Sequence, residues 1–250
     1  MIAALKYEWR RLWSIRSTYI VSVGYLALIA LMAGAPLFTG SAPADPRDAI
    51  TWKALYSTPA FVLCAVVLSV IAAQTFGHEY RYGLIRLTLS EFPNRSVVIL
   101  AKTLVLSIYV LGMTVLAWAL LGAIGALAPK GNIDPAGLAI GPGLVNLPGL
   151  WMVPAFSLGY CIFALGVTMI TRNLPMGITL PLLLAVFVEM LLISILGLAD
   201  GKLDWIAKNL PMTNVQQWQM GEGAHHGVVF GCWVLGVFAL GSFLFVKRDA

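Results

Sequence analysis

Charged side chains are scarce in this chain, and where they fall decides which chemistry is open to it. Of its 250 residues, 11% are Asp, Glu, Lys or Arg. The densest group lies in the segment 77–96, which carries Glu79, Arg81, Arg86, Glu91 and Arg95, with Tyr82 and Gly83 among them. Such side chains pair with one another or with opposite charges on a partner; they contain no activated nucleophile. A second candidate is Glu189, the one carboxylate inside a long apolar stretch. Burying it as a charge is expensive, so it must face a bundle interior, an aqueous cavity or a partner. It reads either as a pathway or proton-linked carboxylate or as a hydrogen-bonded structural group, and its place past the middle of its stretch leans to the second. A third candidate, His225-His226 with Glu222, has metal-ligand chemistry, but adjacent histidines in a loop are ordinary surface residues, and no metal is assigned. Cys64, Cys161 and Cys232 lie in apolar stretches and are odd in number, which suits packing rather than a disulfide framework.

The motifs of nucleotide and hydrolytic chemistry are missing. No G-x-x-x-x-G-K-[ST] loop occurs; the one lysine directly after a glycine, Lys202, lacks the rest of the pattern. H-E-x-x-H, paired cysteines and G-x-S-x-G are also absent. The chain is therefore not expected to be an enzyme or to hydrolyse ATP by itself, and nothing calls for a cofactor.

The elements that must position these residues are apolar. Hydrophobic residues make up 60% of the chain and mean hydropathy is +0.87. Six stretches, Thr18–Phe38, Leu55–Phe76, Val97–Leu127, Leu150–Thr171, Leu174–Leu198 and Gly227–Val246, approach the roughly 20 residues that a bilayer-crossing helix needs. Backbone in lipid must be helical or form a closed barrel, and runs such as Phe61–Ala73 lack a barrel strand's alternation. The expectation is an all-α integral membrane protein, one domain over 1–250, with six spans. The net charge of +5 is distributed along the membrane normal rather than gathered for a nucleic acid. With the amino terminus in the cytoplasm, eleven Lys and Arg fall on inner segments and five on outer ones, which places both termini in the cytoplasm.

Ahead of the first span, the segment 1–16 reads as an amphipathic helix at the membrane interface. Ile2, Leu5, Trp9, Leu12 and Trp13 form one face, and Lys6, Glu8, Arg10 and Arg11 the other. The first span is too long for a signal peptide's apolar core and is expected to stay attached. Two Gly- and Pro-rich outer loops, Thr39–Trp52 and Ala128–Pro148, read as irregular. The outer segment 199–226 holds Trp205, Leu210, Met212 and Trp218, too apolar for a solvated loop, and reads as interfacial or re-entrant helices broken at Pro211. On the inner side, a helix from Glu79 to Ser90 would put Tyr82, Ile85 and Leu89 on one face, with Pro93 ending it. Held under the bilayer between two spans, that helix is a natural docking surface for a cytosolic protein.

The stretch Glu79-Tyr80-Arg81-Tyr82-Gly83-Leu84-Ile85-Arg86-Leu87-Thr88-Leu89, followed by Pro93, Arg95 and Lys102, resembles the inner loop of ABC-2 type transporter permeases. In that family a Glu, a Gly, a Leu and a Pro-x-Arg near a Lys mark the loop after span two, often with Thr where this chain has Leu84. Thr171-Arg172-Asn173, Trp205 and Leu210-Pro211 are similar to further family features. The resemblance implies the membrane subunit of an exporter in a prokaryotic cytoplasmic membrane, paired with a second copy or a sister permease and driven by a dimer of separate cytosolic ABC ATPase subunits. It implies that Glu79, Arg81, Tyr82, Gly83, Arg86, Glu91 and Arg95 belong to a coupling helix seated in the ATPase, and that Ile2–Ile15 is the connecting helix. Two alternatives stay open: an ion-gradient-driven transporter or channel using Glu189, and a membrane anchor or signal-transmitting subunit that moves nothing across.

Overall fold

The structure, a computed structural model, describes residues 1–39, 58–127, 148–197, 204–219 and 223–248, and these residues are helical with no strand among them. Helix α1 covers Ile2–Ser14 and α2 Arg16–Thr39, with a bend of 70° where Ile15 is extended. Helix α3 covers Thr58–Arg81, the short α4 Ile85–Glu91, and the long α5 Arg95–Leu127. Then come α6, Pro148–Thr171, and α7, Leu174–Leu183, which continues through a π-helical turn, Leu184–Val188, into α8, Glu189–Gly197. Two short helices, α9 over Asp204–Lys208 and α10 over Pro211–Gln219, precede the last helix, α11, Ala224–Lys247. Segments 40–57 and 128–147, which hold most of both Gly- and Pro-rich loops, lie outside the described residues, as does Glu222.

Among the described residues three helical segments are long and apolar enough to cross a membrane: Arg95–Leu120, Val153–Thr171 and Ala224–Lys247. The bent pair Ile2–Ser14 and Arg16–Met32 is a fourth candidate. The chain thus has the helical make-up of a multi-pass membrane protein.

Helix α6 is the centre of the bundle and packs against α3 on one side and α11 on the other. Phe156, Tyr160, Ala164, Leu165 and Met169 of α6 are fully buried. The contact with α11 is made backbone to backbone: a Cβ added at Gly166 would stand 3.0 Å from the main chain of Phe238, and one at Gly241 would stand 2.6 Å from the Gly166 carbonyl oxygen. Small residues let membrane helices approach this closely, where van der Waals contact rather than hydrophobic transfer holds them. Helix α2 packs on α3 and α5, and α1 lies across α5.

Two local expectations are corrected. The inner helix is not continuous from Glu79 to Ser90. It ends at Arg81, turns at Gly83, whose φ is +66°, and restarts at Ile85. The left-handed conformation costs other residues about 1–2 kcal/mol, and glycine takes it freely. Helix α1 also has three sectors rather than two faces, each about a third of the circumference. Ala4, Glu8 and Leu12 face the bundle and are buried, while Ile2, Trp9 and Trp13 point outward and are exposed. Lys6 and Arg10 form a third, exposed sector beside the tryptophans. Glu8 therefore sits away from water, between partners on α1 itself and on α5.

Candidate functional site

These charges meet at one end of the bundle. Lys102 lies two turns into α5 with 0% of its side chain exposed. Its Nζ donates to Glu8 Oε1 at 2.7 Å, to Glu79 Oε1 at 2.8 Å and to the Thr75 carbonyl at 3.3 Å. Nζ also lies 5.1 Å from the Phe76 ring centroid. Arg11 closes the arrangement: its NH1 donates to Glu8 Oε2 at 2.9 Å and to Glu79 Oε1 at 2.7 Å, and its NH2 to the Thr75 carbonyl at 2.7 Å. Thr88 of α4 donates its hydroxyl to Glu79 Oε1 at 3.2 Å. Two carboxylates and two cations make a neutral node that joins α1, α3, α4 and α5.

Energetics make the node obligatory rather than decorative. Burying four charges costs several kcal/mol per ion, and only mutual pairing with added hydrogen bonds offsets it. Removing one partner strands the others, at about 3–5 kcal/mol. One acceptor is in excess, since the buried Glu79 Oε2 has no hydrogen-bond partner among the described residues. A cavity of about 20 Å³ beside the node, lined by Glu8, Arg11, Thr18, Gln74, Thr75 and Lys102 together with the apolar Leu12, Ile15, Ile71, Val105 and Leu106, has room for a single water molecule. Just outside, burial first and then Arg11 and Arg81 hold the His78 imidazole below its usual range, so it stays neutral at pH 7.

The candidate residues of the inner loop separate into two groups. Glu79 is 1% exposed and faces inward. Arg95 is turned to the end of α11, donating to the carbonyls of Phe245 at 3.0 Å and Val246 at 3.3 Å and also to Arg248. A cation at those carbonyls also suits the negative end of the helix dipole. Arg81, Tyr82, Gly83, Arg86 and Glu91 are exposed. Tyr82 is 63% exposed and Leu87 66%, with Arg81 lying 5.7 Å from the Tyr82 ring centroid. This outer group is a mixed apolar and charged surface spread over the end of α3, the turn at Gly83 and the short helix α4, which is rooted in the node.

Glu189 lies at the opposite end of the bundle. Its Oε1 accepts from the Met212 amide at 2.7 Å and its Oε2 from the Thr213 amide at 2.9 Å and hydroxyl at 3.3 Å. Met212 and Thr213 follow Pro211 in the first turn of α10, so Glu189 caps that helix from another element. Asn214 strengthens the same corner: its Nδ2 donates to the carbonyls of Lys208 and Leu210, both at 2.8 Å, and its Oδ1 pairs with His226 Nδ1 at 2.8 Å. The two helices of segment 199–226 do break ahead of Pro211. Among the described residues no group of His, Cys, Asp and Glu is arranged to hold a metal.

Glu8, Arg11 and Thr88 are members of the node that sequence reasoning did not single out. Lys102 was the signal available for them: a lysine inside an apolar helix demands a buried carboxylate. No protein-family model and no curated protein matches this chain.

Proposed function

We propose that the chain is the membrane-spanning permease subunit of an ATP-binding cassette exporter, with six spans and both termini in the cytoplasm of a prokaryotic cell. It lines the translocation pathway with a second permease copy or a sister permease and takes its energy from a dimer of separate cytosolic ATPase subunits. The observation that carries this reading is the rooted surface of the inner loop. Tyr82, Leu84 and Leu87 are exposed on a short element outside the apolar helices, beside the exposed Arg81 and Arg86. Apolar side chains grouped with charges on such an element fit a protein partner. Behind them, Thr88 and Glu79 lead into a node shared with α1 and α5, so a push on α4 reaches two further helices.

The test uses full-length protein co-expressed with candidate ATPases. Leu87→Glu and Tyr82→Ala should lower co-purification and stimulated ATP hydrolysis about tenfold while the melting temperature stays put. Unchanged stimulation in both variants sinks the coupling-surface reading. Stimulation without substrate movement in vesicles would favour the anchor or signal-transmitting alternative. The gradient-driven alternative draws little from Glu189, whose two oxygens are committed to α10.

A further inference from the structure

An open groove of about 530 Å³ runs along the third sector of α1, lined by Lys6, Tyr7, Arg10, Arg11, Ser14 and, on its far rim, Glu91. Tyr7 packs on Phe92 with ring centroids 5.9 Å apart, which sets the groove between α1 and the end of α4. Arg11 is spent on Glu8 and Glu79. Lys6 and Arg10 are exposed, and neither has a carboxylate within ion-pair distance among the described residues. On the neighbouring sector Trp9 and Trp13 are each 41% exposed and meet edge to face at 6.0 Å. Trp13 also packs on Tyr19 of α2 at 5.8 Å, just past the 70° bend.

We infer that this groove binds the headgroup of an anionic glycerophospholipid, with Lys6 and Arg10 on the phosphate and the Trp9–Trp13 edge against the acyl chains. The inference rests on the reading of the chain as membrane-spanning with α1 at the surface. Charge and apolarity stand side by side on one helix, in the order that a headgroup layer presents them: acyl chains against tryptophan, phosphate against lysine and arginine. Long basic side chains beside tryptophan also reach the phosphates by extending along the interface. A cytosolic protein docked in the groove would use the cations and leave both tryptophans uncovered, so lipid accounts for more of the surface. Glu91 opposes an anion there, and the two cations outweigh it. A lipid so bound touches both α1 and the end of α4, two of the four elements that the node joins.

Purified full-length protein is equilibrated with equal amounts of phosphatidylglycerol and phosphatidylcholine in detergent, and retained lipid is counted by native mass spectrometry. Each cation near an anionic headgroup is worth a factor of about five, so the wild type should prefer phosphatidylglycerol by tenfold or more. Lys6→Gln/Arg10→Gln should abolish the preference at an unchanged melting temperature, since both side chains are exposed. Equal retention of the two lipids by the wild type, or a preference that survives the double substitution, overturns the site. Displacement of bound phosphatidylglycerol by millimolar inorganic phosphate reassigns the groove to a free anion and overturns the lipid assignment. Loss of ATPase co-purification in the double variant with lipid preference intact makes it a protein contact, which also overturns it. The lipid count needs no ATPase, so it stands or falls separately from the coupling surface.

Discussion

At the residue scale the chain concentrates its electrostatics in two buried arrangements of opposite construction. The node at Lys102 balances charge with charge, whereas Glu189 is met by backbone amides and a hydroxyl alone. This difference predicts different responses to substitution. Lys102→Met leaves Glu8 and Glu79 buried with Arg11 as their one cation, and should cost about 3–5 kcal/mol, read as a large fall in melting temperature in detergent. Adding Glu79→Gln removes the surplus charge and should recover part of that loss; a double variant no better than the single one would show that the pairing is not what is lost. Glu189→Gln keeps one acceptor and turns an amide toward the Met212 or Thr213 N–H. It should cost about 1 kcal/mol, the usual value of a helix cap. Hydrogen exchange at those two amides should accelerate roughly fivefold, and unchanged protection there would sink the capping role. The carboxylate of Glu189 was legible as a residue that must find a partner. Which partner it finds was not, because the cap joins residues 23 and 24 positions apart through a fold the sequence does not display.

The element scale shows how far apolar patterning reaches. Long runs such as Leu150–Thr171 and Gly227–Val246 correspond closely to α6 and α11, because such runs have no alternative to a helix in lipid. The break at Gly83 was harder to read: Tyr82, Ile85 and Leu89 keep helical spacing across it, and the φ of one glycine decides against continuity. The π-helical turn at Leu184–Val188 follows Pro181, whose missing N–H already loosens the ladder. The three sectors of α1 were also hidden, since a two-sided reading assigns Glu8 to water by its charge alone. Glycines along α11 look alike in sequence and differ in the bundle. Gly241→Ala drives a methyl against the Gly166 carbonyl and should cost roughly 1–3 kcal/mol through overpacking. At Gly231 nothing lies within 4 Å of an added Cβ, so Gly231→Ala should be neutral or slightly stabilising through helix propensity. Equal melting temperatures for the two variants would mean that the close contact of α6 with α11 is not under load.

For the molecule as a whole, the helix ends sort by charge. Arg11, Lys102, Arg95 and Arg248 gather at one end, where Arg248 also donates to the Ile170 carbonyl at 3.1 Å. The other end holds Glu189, Asn214 and His226. With the basic end inward, Ser90→Cys should react with a membrane-impermeant thiol reagent only from the cytoplasmic side, and Lys208→Cys only from the outside, in a Cys232→Ser background. Labelling of both from one side overturns the arrangement of spans. The node carries one more consequence, for the order in which the protein is made. Glu8 leaves the ribosome 94 residues ahead of Lys102, an interval of roughly 5–20 s at ordinary translation rates. Until then the counter-charge it pairs with is Arg11, three positions on, and the α5 face that α1 packs on has not been made. Helix α1 therefore waits for α5 before Glu8 is fully paired, and damage to Lys102 should surface during biogenesis as chains that insert, fail to close and are degraded before they can work.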